Sequence, residues 1–138
     1  MNHGVSVAKR RHEDWLTAYC DYASYGEAPR HMTFWCGVSA VAVALRRKVY
    51  LDMAYFKWTP NFYIVVVAPP GIVSKSTTVG IAIRLLRQVP NIRFGPEVIT
   101  WQALVQSLAA SAEAYEYKGD FLTMSPITLE SSELGNLL

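Results

Sequence analysis

Residues 61–80, NFYIVVVAPPGIVSKSTTVG, are the stretch of sequence from which the fold is predicted. The near-continuous apolar run Tyr63–Ala68 is typical of a strand that is buried on both faces of a parallel sheet. A Pro/Gly turn follows, and residues 75–77, Lys-Ser-Thr, open a segment with helical apolar periodicity. A strand, a tight loop and a helix in this order can bind phosphate through loop amides and the helix N-terminus. The stretch therefore predicts an α/β fold with a phosphate-binding loop.

The loop departs from the phosphate-loop pattern G-x-x-x-x-G-K-[ST] at both glycine positions. Pro69 and Ser74 occupy those positions, and Gly71 lies inside the loop instead. Pro69 and Pro70 have no amide hydrogen to donate, and the Cβ of Ser74 resists the close approach that glycine allows. Six consecutive amides, from Gly71 to Ser76, can still donate. We interpret the loop as a variant Walker A loop, and a plain strand–turn–helix connection is the alternative.

The residues predicted to bind phosphates form one continuous run in which each part has a separate chemical role. Lys75 supplies an ammonium group for the β- and γ-phosphates, and Ser76 supplies a hydroxyl ligand for Mg²⁺. The N-terminus of the following helix adds a partial positive charge. The predicted nucleotide-binding residues are Pro70, Gly71, Ile72, Val73, Ser74, Lys75, Ser76 and Thr77.

The segments on either side of the loop are predicted from their periodicity and their end signals. Apolar spacing predicts helices over 13–25 and 29–48, which would form an N-terminal helical hairpin. Residues 49–60 are a connection rich in aromatic side chains, which stack on bases in some proteins but more often form core or interface. The later predicted elements are a short strand at Ile92–Phe94, a helix from the Thr100 cap to about Tyr115, a turn at Lys118–Asp120 and a strand at Ile127–Glu130. The buried stripe predicted for that helix consists of Trp101, Leu104, Val105, Leu108 and Ala112.

Composition limits the class of protein. A chain of 138 residues with a net charge of +2 is one domain at most, and this charge is too small to indicate nucleic-acid binding by itself. The two cysteines, Cys20 and Cys36, lack metal-site spacing and are predicted to be buried in a cytoplasmic protein. The longest apolar run, Met32–Leu45, is shorter than the roughly 20 residues of a membrane-spanning helix. We therefore expect no membrane segment and no secretory signal.

Three stretches of the chain carry a resemblance to a known family. Residues 58–78 join a W-x-P-N approach to the variant loop, residues 100–104 read TWQAL, and residues 133–138 read ELGNLL. Together they resemble the phage and prophage P-loop ATPases of the replicative primase–helicase type, which are often described only as a domain of unknown function. The resemblance covers about Asp14 to the C-terminus. It implies a partial P-loop NTPase-like parallel sheet core behind the helical hairpin.

The resemblance also implies a ligand, a partner and an acidic residue. ATP with Mg²⁺ would be bound, and the helicase-like module would act on DNA during replication in the cytoplasm of a bacterium or a phage-infected host. Glu133 would be the second catalytic residue beside Lys75, holding Mg²⁺ together with Ser76 or polarising the attacking water. Spacing alone does not choose between Glu133 and Glu130. Glu130 is the less favoured alternative, because the resemblance points to Glu133.

The predicted core is short of strands. Two or three strands can be counted, whereas a nucleotide-binding sheet has about five, and the sequence stops directly after the proposed acid. We therefore expect a truncated piece of a longer ATPase, with residues 1–12 disordered, 13–60 helical segment and connection, and 61–138 partial nucleotide-binding core. Its partners would be the missing C-terminal part or further copies of the chain.

We do not expect this chain to hydrolyse ATP by itself. The alternative function is a non-catalytic interaction domain that binds a protein through Trp15, Trp58 and the open sheet edge.

Overall fold

The computed structural model describes residues 11–96 and 100–133 as four helices and four short strands. The first half contains two helices and a small hairpin. The second half contains two further helices and a longer hairpin. In chain order the elements are α1 (Trp15–Ala23), α2 (Arg30–Leu45), β1 (Leu51–Asp52), β2 (Lys57–Trp58), α3 (Lys75–Leu86), α4 (Trp101–Ala110), β3 (Glu113–Tyr117) and β4 (Asp120–Met124).

Side-chain caps fix the starts of α1 and α4. The Asp14 carboxylate accepts a hydrogen bond from the Thr17 amide at 2.7 Å, and hydrogen bonding with the side chain and the amide of Thr17 lowers the pKa of Asp14. The Thr100 hydroxyl accepts from the Ala103 amide at 3.2 Å, which confirms the predicted cap. Both bonds satisfy an amide that the first turn of a helix leaves without a partner.

The small core lies where α2 packs between α1 and α3. Its buried side chains are mostly small, which lets the three helices approach closely. Gly37 of α2 faces α1, and a Cβ at this position would lie 2.6 Å from Leu16 and 2.7 Å from the Tyr19 ring. The Tyr19 ring is buried and stacks on Trp15, and burial raises the pKa of Tyr19 to about 12. The buried core consists of Tyr19, Cys20, Ala23, Cys36, Ala40, Ala82 and Leu86.

Both sheets that the structure describes are antiparallel and two-stranded. Strand β1 pairs with β2, and β3 pairs with β4 from Glu113↔Met124 to Tyr117↔Asp120. Lys118 and Gly119 form the two-residue connection of the second hairpin with φ values of 51° and 89°. Positive φ at both positions suits the right-handed twist of a tight hairpin. The predicted turn at 118–120 is therefore confirmed, whereas the helix predicted to reach Tyr115 ends at Ala110 because residues 113–117 pair as β3.

The predicted P-loop NTPase-like parallel sheet core is wrong. Within residues 11–96 and 100–133, parallel pairing is confined to one bridge between Phe94 and Thr128. The Gly95 amide donates to the Thr128 carbonyl at 2.9 Å, and the Thr128 amide donates to the Arg93 carbonyl at 2.8 Å. Residues 63–68, predicted to be a buried strand of the parallel sheet, make no backbone–backbone hydrogen bond with any other described residue. A sheet requires a neighbouring strand on at least one side, and this apolar run has none within residues 11–96 and 100–133.

Helix α4 is less buried than its apolar pattern predicts. None of its residues is fully buried, and Trp101 is 74% exposed. Val105 and Ala112, which were predicted to face the core, are also exposed. Leu104 and Leu108 are half-buried, so the prediction of a fully buried stripe is wrong, since no layer of described residues covers that face.

Polar contacts connect the helices to the hairpins. Arg46 ends α2 with a φ of 53°, and its guanidinium donates to Glu113 of β3 at 2.5 Å and to the Asn91 carbonyl at 3.4 Å. The two hairpins meet through the Lys57 ammonium, which lies over the Tyr117 ring, and through the 3.3 Å pair of Lys118 with Asp52. The longest described helix, α2, has 16 residues, and none of the helices that the structure describes has the length and apolarity needed to cross a bilayer.

The contrast between Gly37 and Gly80 gives a test of the helix packing. Gly37→Ala is expected to lower the free energy of unfolding by about 1–3 kcal/mol, because the added methyl group overpacks the contact with the Tyr19 ring. Gly80 lies within α3, and a Cβ there would have no atom within 4 Å. Gly80→Ala should therefore raise the free energy of unfolding by about 0.5–1 kcal/mol through helix propensity alone. Chemical denaturation followed by circular dichroism measures both, and two changes of the same sign would contradict the packing.

Candidate functional site

An open cleft of about 520 Å³ lies beside the start of α3. One wall is the apolar run Ile64–Ala68, and the opposite wall is the irregular segment Thr128–Ser132. Lys75 and Ser76, at the first turn of α3, also line this cleft. The cleft therefore brings the predicted lysine and serine together with a segment that lies more than 50 positions further along the chain.

The floor of the cleft is apolar and comes from two packed helices. Helix α2 contributes small side chains, and α3 contributes aliphatic side chains. Because these residues also border the core, the floor is held in place by the packing of α2 on α3. The floor residues are Cys36, Ser39, Ala40 and Val43 from α2 and Val79, Ala82, Ile83 and Leu86 from α3.

The loop before α3 reverses the chain at Gly71. This residue has a φ of +74°, and a Cβ there would meet nothing within 4 Å. Its conformation favours glycine for backbone reasons alone. The turn carries the chain from Ala68, at the end of one cleft wall, to Lys75, at the start of α3. Gly71 therefore shapes the loop although it does not occupy either glycine position of the phosphate-loop pattern.

The side chain of Lys75 folds back across the mouth of the loop. Its Nζ atom donates a hydrogen bond to the Ala68 carbonyl at 2.5 Å. Lys75 is half-buried, so its ammonium group is held at the junction of the loop, the cleft wall and the helix. A charged group in this position is directed by the backbone rather than extended into solvent.

The first turn of α3 has amides that are not used by a side-chain cap. Ser74 is the N-cap residue, but its hydroxyl makes no capping bond. The Ser74 carbonyl accepts from both the amide and the hydroxyl of Thr78, at 3.0 and 2.9 Å. The amides of Ser76 and Thr77 have no acceptor among the described residues. They are open donors at the positive end of the helix dipole, next to the Lys75 ammonium.

The structure separates the two acidic candidates. Glu130 is half-buried and lines the same cleft as Lys75 and Ser76. Glu133 is exposed and is not among the residues that line this cleft, and its carbonyl accepts from the Ser131 hydroxyl at 2.7 Å. The rest of the predicted tail, 134–138, lies outside the described residues. Sequence spacing could not rank these acids, because the bridge at Thr128 sets the position of the segment.

One further carboxylate lies close to the loop. The Ser74 hydroxyl donates to Glu27, in the α1–α2 connection, at 3.5 Å. Sequence analysis did not select Glu27, because nothing in the pattern links it to a loop 47 positions away. This contact places a carboxylate beside the residue that precedes Lys75.

The cysteines are buried as predicted. Both Cys20 and Cys36 are free thiols in the core, and burial raises the pKa of each. They therefore act as small apolar side chains. Across residues 11–96 and 100–133, no group of three or more histidine, cysteine, aspartate or glutamate residues is arranged to hold a metal ion.

Comparison with known proteins adds no relative. No family model, curated protein sequence or solved structure matches this chain.

Proposed function

We propose that the chain binds the phosphates of a nucleotide, ATP with Mg²⁺, at the Gly71–Thr77 loop. The observation that carries this proposal is the position of Lys75, whose ammonium group is held at the loop mouth by the Ala68 carbonyl. An incoming phosphate oxygen would replace that carbonyl as the acceptor, and a charge-assisted bond to phosphate is stronger than one to a neutral carbonyl. The open amides of Ser76 and Thr77 would donate to the same phosphate group.

The oxygen atoms that line the cleft are also suitable ligands for Mg²⁺. This ion is bound in proteins through one or two oxygen ligands, with water and substrate phosphates completing its octahedron. The Ser76 hydroxyl and the Glu130 carboxylate are two oxygen donors that line one cleft. When bound, Mg²⁺ would neutralise charge on the phosphates. Of the two acids, we assign this role to Glu130, whereas the family resemblance assigned it to Glu133.

The floor of the cleft supports a role in binding the rest of a nucleotide. Its aliphatic side chains form an apolar surface directly beside Lys75 and Ser76. Ligand pockets commonly combine apolar walls with a few polar groups that fix orientation. A base and ribose in the cleft would bury that surface, while the phosphates would lie at the loop. Action on DNA, a phage-type host and the cytoplasmic compartment rest on the family resemblance alone, and hydrolysis is not part of the proposal.

A second function, protein binding, is supported by exposed aromatic side chains. Trp58 is 62% exposed and Trp15 is 44% exposed. Large exposed aromatic side chains are typical of protein-binding surfaces. A non-catalytic interaction domain would keep its partner when Lys75 is removed, whereas a nucleotide-binding module would lose its ligand.

Lys75→Ala tests the nucleotide proposal. The wild-type chain should bind ATP and Mg²⁺ with a dissociation constant on the order of micromolar. Loss of the ammonium should weaken binding by about tenfold to a hundredfold, because a bond to a charged group contributes roughly 1.5–3 kcal/mol. Lys48→Ala, at an exposed lysine beyond the end of α2, is the matched control and should bind as wild type does. Calorimetry measures all three proteins, and folded wild type that binds no ATP would refute the proposal.

A pair of glutamine substitutions distinguishes the two acids. Glu130→Gln keeps the shape of the side chain but removes its charge, so it should abolish most of the gain in ATP affinity that Mg²⁺ provides. Glu133→Gln should leave that gain unchanged, because Glu133 does not line the cleft. Titrations with Mg²⁺ and with a chelator give the gain for each variant. A loss confined to Glu133→Gln would return the role to the residue that the family resemblance implied.

A further inference from the structure

The segment Phe62–Ala68 has an unused hydrogen-bonding backbone. Within the described parts of the chain, none of its amides or carbonyls bonds to another backbone group, and the Ala68 carbonyl receives only the Lys75 side chain. Its residues lie outside any helix, and none has a positive φ. An extended segment with free amides and carbonyls is a ready template for a further strand.

The side chains of this segment alternate between two environments. Tyr63, Val65 and Val67 are 94%, 63% and 87% exposed, whereas Ile64 and Val66 are half-buried. A period of two is the pattern of a strand with one face on the protein and one face outward. The outward face is fully apolar, so the exposed strand template is also an exposed hydrophobic surface.

The segment has no charged residue that would oppose pairing with a second copy of itself. Not one of the residues between Trp58 and Lys75 is charged, and Pro60 and Pro69 bound the run on both sides. Exposed strand edges are normally protected by charges, which prevent a strand from pairing with its own copy. Here no like charges would meet if two copies of the run lay side by side, and its β-branched residues favour strand pairing.

We propose that two copies of this chain pair through Phe62–Ala68 as antiparallel strands related by a two-fold axis at Val65. In this register all seven residues of each segment are paired, Val65 lies opposite its own copy, and Tyr63 lies opposite Val67. Tyr63, Val65 and Val67 of the two copies then lie side by side on one face of the two-stranded ribbon, where they form cross-strand pairs. Each copy uses the edge turned away from the cleft, because Thr128–Ser132 line the cleft together with this segment. The contact is isologous, so it closes as a dimer.

A charge at the axis tests the pairing. Sedimentation velocity over a range of concentrations should show a dimer of the wild-type chain. Val65→Lys places two ammonium groups opposite each other at the axis and should raise the dimer dissociation constant by at least tenfold. Leu51→Lys is the matched control, since Leu51 is a similarly exposed aliphatic residue, 68% exposed, in β1. It should leave the dimer intact.

A cysteine pair tests the register without disturbing the fold. Val65→Cys should form a disulfide-linked dimer on mild oxidation, because the two thiols lie opposite each other. Val67→Cys should not, because its neighbour across the interface is Tyr63. The buried thiols of Cys20 and Cys36 are the same in both variants and set the background.

The outcomes separate this proposal from the nucleotide site. A wild-type monomer at all concentrations, a larger open assembly, or a dimer that Val65→Lys leaves intact would each overturn it. Equal cross-linking of Val65→Cys and Val67→Cys would refute the register. Lys75→Ala should remain dimeric, so loss of ATP binding in that variant says nothing against the pairing.

Discussion

The close contact between α1 and α2 at Gly37 is the constraint on which the arrangement of the helices depends. Because Gly37 has no side chain, the Tyr19 ring can lie directly against α2. The other side of α2 is then available for α3, and the two helices share a core of small residues such as Ala40 and Ala82. This packing fixes the direction of α3 and therefore the position of its first turn, where Lys75 begins the helix beside the cleft.

Local sequence signals were sufficient to predict the helices. Apolar periodicity and the Thr100 cap identified helical segments whose ends differ from the structure by a few residues, because these signals act within one or two turns. Strand pairing depends on distant segments, so the apolar pattern of Tyr63–Ala68 could not show whether a neighbouring strand exists. The same limitation explains α4, whose pattern predicts burial that only another layer could provide.

The candidate site was predictable in part for the same reason. Lys75 and Ser76 stand at the start of a helix after a tight turn, and this local arrangement can be read from the sequence. Glu130 could not be selected, because its position depends on the bridge between Phe94 and Thr128, which joins segments more than 30 residues apart. Glu27 reaches the loop through the packing of α1 and α2, which no motif encodes.

The Arg46 contact has a consequence for how the chain opens. The Arg46 guanidinium donates the hydrogen bond that joins the end of α2 to Glu113 of strand β3. Helices α1, α2 and α3 share a buried core, whereas the hairpins are held to each other by exposed charges and by Lys57 on the Tyr117 ring. Local opening follows such differences in burial. Amide hydrogens of β3 and β4 should therefore exchange with solvent while those of α2 and α3 are still protected.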